Sequence, residues 1–270
     1  MTRTAISYPV ISVEKRMTDQ ARKGERFRAL HIPGEPLVLF NIWDAGTAKA
    51  VTAGGAKAIA TSSWSVANAN GFTDGERFPL ALAIENLRRI VGATDLPVTI
   101  DLEGGYGDTP EMAGETIGLA IAAGAVGCNL EDSFPANGKL RETVDQCDRI
   151  RHARRAANAA NTCFFINART DVFFQRPPEQ HNDDMVAEAI LRACAYAEAG
   201  ADGLFAPGLA DISLIARLAA ASPLPLNIMV GDATPPVHVL AERRVARVSH
   251  GPRPYFMAMK MLEEAARSPR

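Results

Sequence analysis

The stretch Val98-Thr99-Ile100-Asp101-Leu102-Glu103-Gly104-Gly105-Tyr106-Gly107-Asp108 decides how the rest of the chain is read. Its β-branched opening, preceded by Pro97 and followed by paired glycines, predicts a short buried strand running into a turn. Asp101 and Glu103 stand two positions apart at the end of that strand, so a period of two aims both carboxylates to one side. Carboxylates that converge in this way repel unless a proton or cation sits between them, and hard divalent ions favour such oxygen ligands.

The same pattern of apolar run, turn and amphipathic helix recurs along the chain. It predicts eight strands, at Leu37–Asn41, Ala58–Thr61, Val98–Leu102, Gly127–Glu131, Phe164–Arg169, Gly203–Ala206, Leu226–Val230 and Ala246–Ser249. Helices are expected between them at Thr47–Ala53, Leu80–Val91, Pro110–Ala123, Leu140–Asn161, Asp184–Ala199, Asp211–Ala221 and Pro235–Arg243. A charged helix at Met17–Leu30 precedes them and Tyr255–Ala266 comes last. Eight strand-helix units joined by right-handed crossovers match a closed (β/α)8 TIM-type barrel. An open doubly wound sheet would carry a glycine fingerprint after its first strand, and Phe40–Gly46 has none. Glycine closes helices in Ala-Gly-Gly-Ala at 53–56 and in Ala-Gly-Ala at 123–125 and 199–201. No linker divides residues 1–270, which read as one domain, with residues 1–20 an N-terminal arm lying on the body or on a neighbouring subunit.

A formal charge of -2, with both signs interspersed, leaves no electrostatic footprint for nucleic acid or an anionic membrane, and small molecules become the expected partners. Cys128, Cys147, Cys163 and Cys194 lack Cys-x-x-Cys spacing and read as reduced, buried thiols. The N-terminus lacks the apolar core of a secretory signal, which points to the cytoplasm.

In a barrel of this kind chemistry gathers where the strands end. Those ends carry Asp44, Asp101, Glu103, Glu131 and Asp132, a concentration of charge that a divalent cation relieves. The absence of histidine among them favours Mg2+ or Mn2+ over zinc. Arg169 is the one guanidinium at a strand end and suits a substrate carboxylate. Ser62 and Ser63 open the second strand-to-helix turn, where hydroxyls and free amides bind anionic oxygen. No Gly-x-Ser-x-Gly elbow supports a serine triad, and no strand ends on lysine.

Four motifs resemble, in order and spacing, the isocitrate lyase/phosphoenolpyruvate mutase superfamily: D-L-E-G-G-Y-G-D at 101–108, N-L-E-D at 129–132, N-A-R-T-D at 167–171 and A-R-V-S-H-G at 246–251. The segment I-A-T-S-S-W-S-V-A at 59–67, with Gly71 and Asp74 beyond it, is similar to the family's second strand and the turn after that strand. The resemblance implies a homotetramer or dimer whose C-terminal helices are exchanged between subunits. It implies Mg2+ held by Asp101, Glu103 and Glu131. It also implies a substrate carboxylate held by Ser62, the backbone at Ser63 and Trp64, and Arg169, with Asp74 near the site and specificity contacts from Phe205, Asn227 and Met229. Arg169, Glu131 and Asp74 are the implied catalytic groups, and the implied substrates are small 2-oxo or 2-hydroxy acids that pass through a pyruvate-like enolate. Family lyases for isocitrate and methylisocitrate carry a Lys-Lys-Cys-Gly-His loop after the fourth strand, whereas this chain has E-D-S-F-P-A-N-G-K-L at 131–140. Asn137 and Lys139 fall on the loop where phosphonopyruvate mutases and hydrolases place an Asn and a Lys. The expectation is therefore a Mg2+-dependent C–C lyase of the decarboxylase or retro-aldol type. The alternatives are a phosphonopyruvate mutase or hydrolase, and a barrel that binds a 2-oxo acid without turning it over.

Overall fold

The computed structural model describes residues 13–267. Helix α1 (Val13–Ala29) leads into β1 (Leu37–Leu39), α2 (Ala45–Ala53), β2 (Ile59–Ala60), α3 (Ser63–Ala69), α4 (Leu80–Val91), β3 (Val98–Asp101) and α5 (Pro110–Ala122). Next come β4 (Gly127–Glu131), α6 (Thr143–Ala159), β5 (Phe165–Arg169), α7 (Asp183–Ala199), β6 (Gly203–Ala206), α8 (Ile212–Ala221), β7 (Leu226–Met229), α9 (Val237–Glu242), β8 (Arg247–Ser249) and α10 (Arg253–Arg267). The expected arm lies outside the described residues as far as residue 12, and from Val13 the chain is already helical.

All eight strands are parallel, in the order β1-β8-β7-β6-β5-β4-β3-β2. The remaining seam, between β1 and β2, is closed by one parallel bridge from Ile42 to Thr61, with the Ile42 amide donating to the Ala60 carbonyl at 2.9 Å. This is the (β/α)8 barrel that the alternation predicts. Strands buried on both faces account for the apolar runs, and all five residues of β4 are buried.

Helix termini obey the chemistry expected of them. Thr109 caps α5 ahead of Pro110, and Asn182 caps α7 by accepting the Met185 amide. Gly124 and Gly200, the central residues of the two Ala-Gly-Ala repeats, take left-handed φ values of 101° and 106° at helix ends. Helix α6 begins at Thr143 rather than Leu140, because a bridge from Ser133 to Leu140 folds the preceding segment into a hairpin. Helix α3 was not expected, and it fills the turn after β2. Among the cysteines, Cys194 is exposed and Cys163 only half-buried rather than buried, and all four are free thiols.

The barrel interior is layered. At its base α1 lays Phe27 beneath the strands with Leu37, Leu39, Ala58, Ala60, Val126 and Phe165 in one apolar cluster. His31 stacks on Phe165 with ring centroids 4.0 Å apart. Above this plug lies a polar layer, Asn129, Asn167, Asn227, Arg247 and Ser249, each at most 5% exposed. The acids stand above that layer.

Candidate active site

The C-terminal ends of the strands surround a cavity of 160 Å3. Ser62, Ser63, Trp64, Asp74 and Asp101 line one side, from the ends of β2 and β3 and the segments after β2. Phe205 and Met229, from β6 and β7, line the side that the strand order sets opposite. Arg169 enters from β5, and Asn129 and Ser249 form the floor.

Asp101 is anchored yet still open. Its Oδ2 accepts the Ser63 amide at 3.1 Å and the Ser63 hydroxyl at 3.0 Å, while Oδ1 receives only a long 3.4 Å contact from the Asn129 amide. The Ser63 amide is thereby committed to Asp101 rather than kept free for a substrate. The Ser62 hydroxyl lines the cavity and also caps α3 by accepting the Ser65 amide at 3.4 Å. Asp74 stands at the exposed rim, where crowding by its surroundings and the charge of Asp101 raise its carboxyl above the usual range.

Glu103 departs from the period-two expectation. Strand β3 ends at Asp101, and Glu103 adopts a left-handed φ of 49°, so alternation no longer sets its direction. Its Oε2 accepts the amides of Gly75 and Glu76, both at 2.7 Å, and it is not among the residues lining the cavity. The Tyr106 amide in turn donates to Glu76 at 2.8 Å. Glu76 and Tyr106 share the left-handed conformation, with φ of 59° and 55°. Three non-glycine residues held in this way stitch the Asp74 loop to the turn after β3, a strain characteristic of a built site. Burial, then the charge of Asp74, pushes the Glu103 carboxyl up to about 8.

Arg169 is held by two acids. Its Nε and Nη2 donate to Asp171 at 2.6 and 3.0 Å, and its Nη1 contacts Glu131 at 2.8 Å. Three of the five guanidinium N–H donors are used, which leaves two for a ligand. Burial opposes the charge on Arg169, but Glu131 and Asp171 more than restore it, so the cation persists at any working pH. Burial raises Glu131 against the counter-effect of Arg169, and Ser133 donates to its Oε1 at 3.2 Å.

Other candidates lie elsewhere. Asp44 is the N-cap of α2 in a reciprocal box with Thr47, not a group of the mouth. Asp132 points outward to Arg192 and Tyr196. Asn227 sits beneath the floor and accepts the Ser249 hydroxyl at 3.1 Å. Asn137 and Lys139 are exposed on the hairpin, where the Asn137 side chain accepts the Lys139 amide. Sequence reasoning missed Asp171 and Asn129: Asn129 stands two residues before Glu131 within β4 and so on the same face, whereas Asp171 lies past the end of β5 and reaches Arg169 from the turn that follows.

Among the described residues no three His, Cys, Asp or Glu side chains are grouped as the ligands of one metal, so the expected cage of Asp101, Glu103 and Glu131 is not assembled. The site nevertheless fits a divalent cation that keeps most of its water. Asp74 and Asp101 face one cavity, where the charge of Asp101 helps raise the Asp74 carboxyl, and among the described residues the one cation lining it, Arg169, is already shared by two other acids. Mg2+ is commonly held through only one or two carboxylates. No described helix is long and apolar enough to cross a membrane.

The phosphoenolpyruvate phosphomutase family model matches residues 27–269. A solved structure of an inferred phosphonomutase from Burkholderia cenocepacia J2315 is 56% identical and superposes with a TM-score of 0.90, covering 92% of this chain and 98% of that one. An uncharacterised protein of Mycobacterium tuberculosis is 35% identical over 90% of this chain and 88% of its own length. The 2-methylisocitrate lyase of Salmonella typhimurium is 30% identical over 89% of this chain and 82% of its own length.

Proposed function

The chain belongs to the phosphoenolpyruvate phosphomutase family, within the isocitrate lyase/phosphoenolpyruvate mutase superfamily of lyases and mutases, and from that premise we propose a Mg2+-dependent C–C lyase for small 2-oxo or 2-hydroxy carboxylates. The observation that carries this reading is the convergence of Asp74, Asp101 and Arg169 on one small cavity with a hydroxyl-lined rim. Asp101 would hold the ion, with Glu103 and Glu131 supporting the loop and the guanidinium around it. Bound there, the ion would supply Lewis-acid polarisation of the substrate's 2-oxo oxygen.

The chain's own groups do the rest. The two remaining N–H donors of Arg169 bind the substrate carboxylate, and the guanidinium offsets charge as the C–C bond pair moves onto the 2-oxo oxygen. Glu131 and Asp171 fix that guanidinium in place. Asp74, with its raised proton affinity and position at the rim, takes or returns the proton that accompanies cleavage. Trp64, Phe174 and Phe205 keep water from the carbanionic carbon.

Incubation with Mg2+ and a panel of oxaloacetate, 2-methylisocitrate, isocitrate and 4-hydroxy-2-oxo acids, with pyruvate release as the readout, tests the reading. Turnover of a panel member that disappears on chelation supports it. Phosphonopyruvate turnover alone would replace it with P–C chemistry. Retained Mg2+ binding with no turnover of any acid would leave a binding barrel. For assembly we propose that α10 packs on a second copy through Phe256, Met257, Met261 and Leu262, all exposed on the single chain, and sedimentation measures that directly.

A further inference from the structure

The cavity is two-faced, and its second face narrows the substrate. Opposite the carboxylates, the wall is Phe205 and Met229, with Phe174 beside them and no charged side chain among the described residues of that side. Among the described residues Arg169 is the one cation lining the cavity, and Glu131 and Asp171 both lean on it. Arg247 lies beneath the floor, close to Asn129 and within the field of Asp101, and it does not line the far wall. A second anionic group at the far end would be desolvated against two apolar side chains with nothing to pair it, which opposes binding. Size agrees with charge, since 160 Å3 is close to the volume of an apolar cavity that holds benzene, about 150 Å3, and is small for a tricarboxylate.

We propose that the substrate is a 2-oxo monocarboxylate whose far end is uncharged and apolar and seats against Phe205 and Met229. The assignment rests on the 2-oxo-acid reading of the same site. The head of the ligand meets Arg169 and the acid-bound ion, while the tail crosses the barrel from the β2–β3 side to the β6–β7 side. The residue that sets this preference is Met229, at the end of β7, which packs against the backbone of Gly251.

Titration calorimetry on the full chain with Mg2+ tests the assignment with three acids. Pyruvate reports the head alone. 5-Methyl-2-oxohexanoate and 2-oxoglutarate have the same number of non-hydrogen atoms and differ in ending on isopropyl or carboxylate. The expected order is the isopropyl acid about tenfold tighter than pyruvate, with 2-oxoglutarate weaker than pyruvate. Pyruvate binding together with 2-oxoglutarate as tight as its apolar counterpart overturns the assignment and leaves the reading of the head intact. Failure of all three acids to bind overturns both. Met229→Arg supplies the missing cation and is expected to bring 2-oxoglutarate ahead of the isopropyl acid. An unchanged order in that variant, with pyruvate still bound, also overturns the assignment.

Discussion

Glu131 and Asp132 are neighbours at the end of β4, yet they belong to different parts of the molecule. Glu131 turns into the barrel and shares the Arg169 guanidinium that reaches the cavity. Asp132 turns outward, fully buried, and accepts the Asp171 amide at 2.8 Å, the Tyr196 hydroxyl at 2.7 Å and the Arg192 guanidinium at 3.1 Å. Its lone pairs are used up in tying β4 to β5 and α7. Asp101 is the converse case, with one carboxylate oxygen bound firmly and the other held only by a long contact. An acid is free for chemistry when its own protein leaves part of it unsatisfied, and strand alternation sorts adjacent acids into the two kinds.

The largest expected effect falls on the open acid. Asp101→Asn should lower turnover of whichever panel acid reacts by roughly 10^4-fold, more than 5 kcal/mol of barrier, because it removes charge from the ion-binding face. The melting temperature should move by only a few degrees. A large drop in melting temperature with turnover preserved per folded molecule would make Asp101 a structural acid like Asp132 and break the contrast.

Asp132→Asn should do the opposite. It leaves Arg192 buried without its partner charge, and removing one member of a buried pair costs about 3–5 kcal/mol. Urea unfolding should show that loss, while turnover per folded molecule stays near the parent value. Turnover lost without loss of stability would mean that the outer knot reaches the cavity after all.

These two acids also mark what the sequence made legible. The barrel was readable because parallel strands covered on both faces appear as β-branched runs, and because Gly124 and Gly200 close helices where such a run begins. Asp101, Arg169, Ser62, Ser63 and Trp64 were readable because strand ends define the mouth. Glu103 was misdirected by treating the strand as continuing past Asp101, where a left-handed residue ends the alternation. Asp132 was counted with the mouth although the same alternation sends it outward when Glu131 points in. Helix α3 escaped because seven residues beginning Ser-Trp-Ser hold too few turns to show a helical period. Which acid already has partners is a matter of long-range contacts, such as Asp132 with Tyr196, that no local pattern encodes.

The base of the barrel extends the comparison to a buried base that titrates. His31 donates from Nδ1 to the Phe27 carbonyl, and its Nε2 has no partner among the described residues. Burial, reinforced by the positive charges of Arg247 and Arg28, lowers its pKa to about 3. Below pH 6.5 the unfolded chain takes up a proton at this position and the folded chain does not, so stability falls as pH drops from 6.5 towards 3. At pH 5 the loss is about 2 kcal/mol by linkage. His31→Phe keeps the stack on Phe165 and removes the titrating group, so its stability should decline less between pH 7.5 and pH 5. Equal declines in the two proteins would place the acid sensitivity elsewhere.

The smallest effect separates a cap from both kinds of acid. Asp44 ends the first strand region as Asp101 ends β3, but its Oδ1 accepts the Thr47 amide at 2.7 Å and the Thr47 hydroxyl at 2.8 Å, and it begins α2. A capping aspartate is typically worth about 1 kcal/mol, and this one is only partly buried, so Asp44→Ala should cost about that much in urea unfolding. Asp44→Ser should recover most of it, because a serine hydroxyl can accept the same amide. Mg2+ affinity and turnover should stay unchanged in both variants, since Asp44 does not line the cavity. A fall in Mg2+ affinity with serine in place would return Asp44 to the mouth, and partner saturation would then no longer tell a structural acid from a working one.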